Sequence, residues 1–369
     1  MQFTSLKWMC VVLTSSLVGC SQITPLPEHQ VALSQTYPLQ TQGNYQVLSW
    51  DNYVNLVDLA LVSNQDLKIA SLRIHEAQAA YGIQRAELFP NIGGNAGMER
   101  NHVPADLSYV GREMTTSQYS VGLGMNQWEL DLWGRIRSLN EAALQQFFAV
   151  ESNVQAVRNS LIQQTVLSYL TLSELDKRIY FAQRSVQNYE KSVRLFKRRY
   201  EVGASSKVEY MQAKTMLSNG QALVTQLEKS RALTANYLVQ LVGQPTSLHQ
   251  TDLDQVTFKT GVLHTGLPSD LLLNRADIRA SEAMLKSKHA NINAARAAFF
   301  PRITLTGSLG TASADLDGLF KSGSSVWSFA PSISVPIFTA GRLKNNLILA
   351  EVRKDIGVAE YEKTVQNAF

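Results

Sequence analysis

The 369-residue chain is poor in the residues that carry chemistry. It has two cysteines, Cys10 and Cys20, too far apart for a metal-binding pair. Its six histidines (His29, His75, His102, His249, His264 and His289) show no metal-ligand spacing and have no cysteine beside them. There is no phosphate-binding glycine loop. Glu129 and Asp131, two residues apart, could suggest a glycosidase pair. A strand-to-helix corner explains them better, with Asp131 at the helix start, where negative charge is favourable. No catalytic residue, metal or cofactor is therefore expected. Charged residues make up 17%, below the usual ~25%, and Ser, Thr, Asn and Gln fill the gap. The net charge is +4, and basic residues are scattered apart from Lys197-Arg198-Arg199. No basic face with interleaved aromatics is present, so nucleic acid is not an expected partner. No run of ~18 uncharged apolar residues exists, which excludes a helical membrane span.

The N-terminus reads as a targeting segment. Lys7 precedes an apolar stretch from Trp8 to Val18, then Leu17-Val18-Gly19-Cys20. That pattern follows a signal-peptide core and resembles the lipobox of bacterial lipoproteins. It implies cleavage after residue 19, acylation of Cys20 and a tether over 20–50. By the same resemblance, Ser21 rather than Asp after the cysteine favours the outer membrane. Several acyl chains on one residue hold firmly, whereas one alone is marginal.

The chain also repeats itself, at a period to be checked before any element is assigned. Asp66 and Leu88-Phe89-Pro90 recur as Asp277 and Phe299-Phe300-Pro301, an offset of 211. Gly134-Arg135 recurs as Gly341-Arg342, an offset of 207. The first repeat is placed at 51–268 and the second at 269–369, each reading helix, strand, strand, helix.

Strands are predicted over 91–100, 117–130, 302–312 and 325–338. In the second, Tyr119, Val121, Leu123 and Met125 alternate with Ser120, Gly122, Gly124 and Asn126. In the fourth, Trp327, Phe329, Ile333, Val335 and Ile337 alternate with polar residues. The first is glycine-rich and weaker. Period-two alternation makes one apolar and one wet face. Tyr119, Val121, Leu123, Met125, Trp327, Phe329, Ile333 and Val335 are thus expected to face lipid, with Trp128, Trp327 and Phe338 near the interfaces. An arginine at Leu123 is expected to be costly, and one at Gly122 much less so by charge burial. Four strands cannot close a membrane barrel, since barrels start at ~8, and an open edge in lipid is forbidden. Several chains must then share one barrel.

From Arg135 to Val202 there is no glycine and no proline. A continuous helix of that length would reach ~100 Å, and apolar positions such as Leu161, Val166, Leu170, Leu172 and Leu175 suggest coiled-coil packing. Val202-Gly203-Ala204-Ser205-Ser206 is the break, with glycine as stop and serine as cap. A return helix is predicted over 207–242, completing a hairpin over 135–242 that ends at Gly243-Gln244-Pro245.

With these residues in view, the chain resembles the TolC-like outer-membrane efflux factors, in their lipoprotein branch, from Cys20 to the end. The motifs are Leu88-Phe89-Pro90-Asn91-Ile92, Trp128-Glu129-Leu130-Asp131-Leu132-Trp133-Gly134-Arg135, Arg199-Tyr200-Glu201-Val202-Gly203, and Gly266-Leu267-Pro268-Ser269-Asp270 with Arg275-Ala276-Asp277. The resemblance implies an α+β membrane protein: a long α-helical coiled-coil barrel plus a β-barrel shared between chains, four strands from each and 12 in a homotrimer. It implies passive conduction of drugs or other small molecules out of the cell. The implied partners are a periplasmic adaptor (membrane fusion) protein, an inner-membrane resistance-nodulation-division pump and outer-membrane lipid. The family's adaptor-contact tip carries Val-Gly-Leu; here Val202, Gly203 and Ala204 match, differing at the third. A duct for secreted proteins, or a lipid-anchored periplasmic scaffold without a channel, are the competing readings. By the 207 offset Phe369 maps onto position 162, inside the outbound helix. The expectation is a second repeat cut in mid-helix, and a chain that alone is a poor channel.

Overall fold

The computed structural model describes residues 45–48, 54–246, 258–261 and 269–368. The targeting segment, Cys20 and Gly266-Leu267-Pro268 lie outside the described residues. The described elements are β1 (Tyr45–Leu48), α1 (Val54–Ser63), α2 (Gln65–Ala86), β2 (Ile92–Val103), β3 (Met114–Glu129), α3 (Arg135–Glu201), α4 (Lys207–Val242), β4 (Phe258–Gly261), α5 (Ala276–Ala297), β5 (Arg302–Ser313), β6 (Ser325–Ser334) and α6 (Arg342–Ala368). Two compact units divide them. One comprises 76–150 with 278–368, the other the described parts of 32–75 and 151–277.

Element bounds carry the offsets seen in the sequence. Gln65–Ala86 and Ala276–Ala297 are both 22 residues long and lie 211 apart. Strands β3 and β6 also start 211 apart, at Met114 and Ser325, whereas α3 and α6 start 207 apart. The four-residue difference falls between strand start and helix start. Strand β3 runs for 16 residues and contains a bulge between Met125 and Trp128, with Gln127 in the left-handed region at φ 48°. Strand β6 stops after 10 residues at Ser334, earlier than the predicted 338. Pro336 has no N–H to continue a ladder. Val335, Ile337 and Phe338 therefore follow the strand rather than belong to it, and the placement of Val335 on the strand is corrected.

In the first unit the four longer strands form an antiparallel sheet in the order β2-β3-β5-β6. The two repeats meet at β3 and β5. In the second unit, β1 and β4 make a separate two-stranded pair.

The second unit also holds the helical seam. Along α3, buried positions fall at Leu161, Thr165, Ser168, Leu172, Leu175 and Ile179. Their spacing alternates between four and three residues, the heptad pattern of a coiled coil. On α4 the answering buried residues are Leu227, Leu238 and Leu241. Three apolar clusters result: Val57, Tyr169, Leu172, Leu238 and Val242; Ala60, Leu161 and Leu241; and Leu175, Ile179 and Leu227. Val166 and Leu170 are only partly buried and pack on the first cluster's rim. The seam is more polar than the sequence pattern suggests. Thr165 and Ser173 bury their hydroxyls by donating to the carbonyls of Leu161 (2.8 Å) and Tyr169 (3.0 Å), one turn back. Asp176, nearly buried, accepts from Arg231 of α4. A buried ion pair in such a seam fixes the register of the two helices.

Candidate functional site

The sheet is the first element of the site. Its register places Tyr119 opposite Met98, Val121 opposite Ala96, Leu123 opposite Gly94, and Met125 opposite Ile92. On the other side Leu123 faces Leu309 and Met125 faces Gly307. Leu309 then pairs with Trp327, Gly307 with Phe329, and Ile303 with Ile333. Because residues directly opposite point to the same side of a sheet, Tyr119, Val121, Leu123, Met125, Trp327, Phe329 and Ile333 share one face. Large members are strongly exposed, with Leu123 at 59% and Trp327 at 72%. A contiguous apolar face of this kind marks a surface made for something other than water. Three residues of β3 answer two of β5 at the bulge, which keeps Trp128 on that face opposite Leu305. The opposite face carries Asn95, Ser120, Thr304, Thr306, Ser308, Ser328 and Ser332, and the hydroxyls of Ser308 and Ser328 are 2.7 Å apart.

Sequence reasoning undervalued two features here. Strand β2 looked weak for its glycines, yet Ile92, Ala96 and Met98 extend the apolar face; their alternation with Gly93, Asn95, Gly97 and Glu99 is the signal that was there to use. Gly122 and Gly310 face each other so closely that an added Cβ would meet Leu309 O at 2.7 Å or Val121 O at 2.3 Å. The low charge-burial cost expected for arginine at Gly122 is thus joined by a steric cost that the sequence pattern does not carry.

The second element is the corner from strand to helix. Glu129, with its side chain only 13% exposed, takes two cations: Arg135 at 2.7 Å and Arg302 at 2.9 Å. The hydrogen bond from Arg135 raises that guanidinium's pKa further, outweighing the lowering by burial. Asp131 caps α3, accepting from the backbone N–H groups of Ile136 (3.1 Å) and Arg137 (2.8 Å). Trp133 donates its indole N–H to Pro301 O at 2.7 Å and stacks on Phe300, with ring centroids 5.0 Å apart. Trp128 donates to Leu88 O at 3.4 Å. The Trp128–Arg135 motif thus ties itself to the Phe-Pro corners of both repeats. Glu129 and Asp131 are structural charges with cationic partners.

The third element is the hairpin tip. Gly203, at φ 73°, ends α3 in a Schellman motif. Ala204 N–H reaches Arg199 O at 2.7 Å, and Gly203 N–H reaches Tyr200 O at 3.0 Å. Ser206 starts α4 with a capping box: Glu209 N–H donates to its hydroxyl at 3.2 Å, and its own N–H donates to Glu209 at 3.0 Å. Tyr200 and Tyr210 stack across the turn. Val202 projects outward at 72% exposure, and Ala204 is also exposed.

The profile of the family described as "Outer membrane efflux protein" matches residues 56–244 and 267–369. The chain belongs to that family. The toluene efflux pump outer membrane protein TtgI of Pseudomonas putida is 44% identical over 318 residues, covering 86% of this chain and 67% of its own length. The outer membrane protein OprJ of Pseudomonas aeruginosa is 39% identical over 339 residues, covering 89% and 71%. Among solved structures, a membrane protein from Pseudomonas aeruginosa superposes with a TM-score of 0.84 at 36% identity, covering 94% of this chain and 81% of that one. The open state of the Neisseria gonorrhoeae MtrE outer membrane channel gives 0.79 at 34% identity, covering 94% and 79%. This outer membrane efflux protein is an α+β membrane protein whose four strands are one chain's share of a barrel built between chains. Its place is the outer membrane, and its function is that of an exit duct for efflux.

Proposed function

We propose that three copies of this chain close a 12-stranded barrel through the outer strands β2 and β6, with the apolar face of Tyr119, Val121, Leu123, Met125, Trp327, Phe329 and Ile333 against lipid. The single observation that supports this most is the sheet itself. It pairs one exposed apolar face with one polar face, and among the described residues the outer edges of β2 and β6 are unpaired. Polar backbone in lipid must be paired, so neighbouring chains supply the missing ladders. Acyl chains on Cys20 add a tether. The helical hairpin extends into the periplasm and presents Val202, Gly203 and Ala204 to an adaptor protein, which links the duct to an inner-membrane pump of the resistance-nodulation-division type. The substrates are solvents and small apolar drugs, in keeping with relatives named for toluene and solvent efflux. Transport through the duct is passive, with energy supplied by the pump.

The test is expression with a solvent pump's adaptor and inner-membrane component in a strain lacking its own duct. The expected result is an outer-membrane trimer and lowered accumulation of a fluorescent apolar dye. A correctly inserted trimer that leaves accumulation unchanged overturns the efflux reading. A monomer in the outer membrane overturns the shared barrel.

A further inference from the structure

The first unit contains a groove of about 400 Å3 lined by α3, α5, α6 and the start of β5. Its rim is cationic: Arg135, Lys288, Arg302 and Arg353. Its floor is small and apolar, with Leu139, Ala294, Ala295, Ala298, Leu349 and Ala350. No acidic side chain lines it.

The charges do not cancel. Glu129 is shared by Arg135 and Arg302, so one carboxylate answers two guanidiniums. Lys288 pairs with Glu360 at 2.7 Å. Arg353 is exposed and makes no ion pair among the described residues. Asp131 and Glu87 also act on Arg135, so Arg353 is the lining cation left without a carboxylate partner among the described residues.

Position adds to chemistry. Arg302 is the first residue of β5 and Arg135 the first of α3, so one end of the groove meets the strand–helix corner. Arg353 lies 11 residues into α6, about 16 Å along the helix axis. The volume lies in the range of small-molecule sites, about 300–1,000 Å3. Basic pockets at a membrane boundary bind lipid headgroups by this arrangement, and guanidiniums hold phosphate and carboxylate through paired, charge-assisted hydrogen bonds.

We infer that this groove binds an amphiphilic oxyanion, its phosphate or carboxylate head at Arg353 and its alkyl start along Ala294, Ala295 and Ala298. Two sources share that chemistry: an acidic phospholipid of the adjoining leaflet, or a free anionic amphiphile. The inference rests on the sheet's lying in the membrane only for the first source.

The experiment uses the full chain, purified in a neutral detergent. Decyl phosphate is titrated against it by native mass spectrometry, with decyl maltoside as the neutral control. Decyl phosphate is expected to be retained and decyl maltoside not. Arg353→Gln is expected to weaken retention about tenfold or more, the size of a lost charged hydrogen bond, and Arg353→Lys to restore part of it. Arg353 is chosen because Arg135 and Arg302 hold the Glu129 corner. Ala295→Trp fills the floor while keeping every charge, and is also expected to abolish retention; circular dichroism confirms the fold of each variant. Equal retention by the native chain, Arg353→Gln and Ala295→Trp overturns the inference, as does equal binding of the neutral control. A second arm places the chain in nanodiscs of phosphatidylglycerol or phosphatidylcholine. Selective carry-over of phosphatidylglycerol, lost in Arg353→Gln, assigns the lipid source. Decyl phosphate binding without such carry-over assigns the free amphiphile. The detergent arm needs no bilayer, so failure of the membrane placement leaves it readable.

Discussion

Glu129 accepts an ion pair from Arg302 at 2.9 Å, joining the last residue of the first repeat's second strand to the first residue of the second repeat's first strand. The same carboxylate holds Arg135 at the start of α3. One side chain thus fixes strand, strand and helix together. Glu129→Gln removes the carboxylate the two guanidiniums share, leaving Arg135 only Asp131 and Glu87. The expected loss is about 1.5–3 kcal/mol, the scale of charged hydrogen bonds, read as a lowered Tm in detergent. Arg302→Gln, which keeps the Arg135 pair, should cost less. Equal losses would show that the two cations are not held by one shared carboxylate.

The apolar face predicts an asymmetric response to charge. Leu123→Arg is expected to cost up to about 2–4 kcal/mol near the bilayer midplane and to lower the amount of chain found in the outer membrane. Ser120→Arg, on the opposite face, should be tolerated far better. Gly122→Ala, although uncharged, is expected to disrupt the sheet, because its Cβ would sit 2.7 Å from Leu309 O. Folded yield in the membrane fraction separates the three outcomes.

Two helix-ending glycines predict different sensitivities. Gly203 and Gly243 both sit at positive φ, 73° and 80°. A Cβ on Gly203 meets nothing within 4 Å, whereas one on Gly243 would lie 2.4 Å from Ser63 O. Gly203→Ala should therefore cost only the left-handed backbone penalty, about 1–2 kcal/mol. Gly243→Ala adds a backbone clash and should lower the Tm further. Hydrogen exchange at the tip should rise in Gly203→Ala without change at α1.

The tip also predicts an acid response. The Glu209 carboxyl is held below the ordinary glutamate value of 4.5, first by the Ser205 hydroxyl and then by the Ser206 backbone N–H. Because the folded value is depressed, the carboxylate's contribution to the cap is present above 4.5 and is lost as pH falls through the lowered value. Amide exchange at 206–210, corrected for its intrinsic pH dependence, should accelerate on that acid side and nowhere between pH 6 and 8. Glu209→Gln should remove the response, and Ser206→Ala should cost about 0.5–2 kcal/mol of local stability at neutral pH.

Local chemistry was legible in the residues. The absence of glycine and proline from 135 to 202, and the glycines and serines that follow, determined a long helix, its stop and its return; the observed Arg135–Glu201 and Lys207–Val242 depart from that reading by one residue. Alternation and the repeat determined the four strands of the larger sheet, because both are patterns of single residues against a fixed backbone period; the short β1–β4 pair was not among the expected strands. Tertiary structure decided what depends on neighbours remote in sequence. The register across β3 and β5 decided which glycines touch, so Gly122 is closed to any side chain although its local pattern is that of a wet face. The fold also decided that Glu129, 173 residues before Arg302, joins two strands and a helix, and that Asp176 and Arg231 meet in the seam. Charge pairing and steric exclusion are set by distances of a few ångströms between segments. A sequence pattern carries the period of each segment but not those distances.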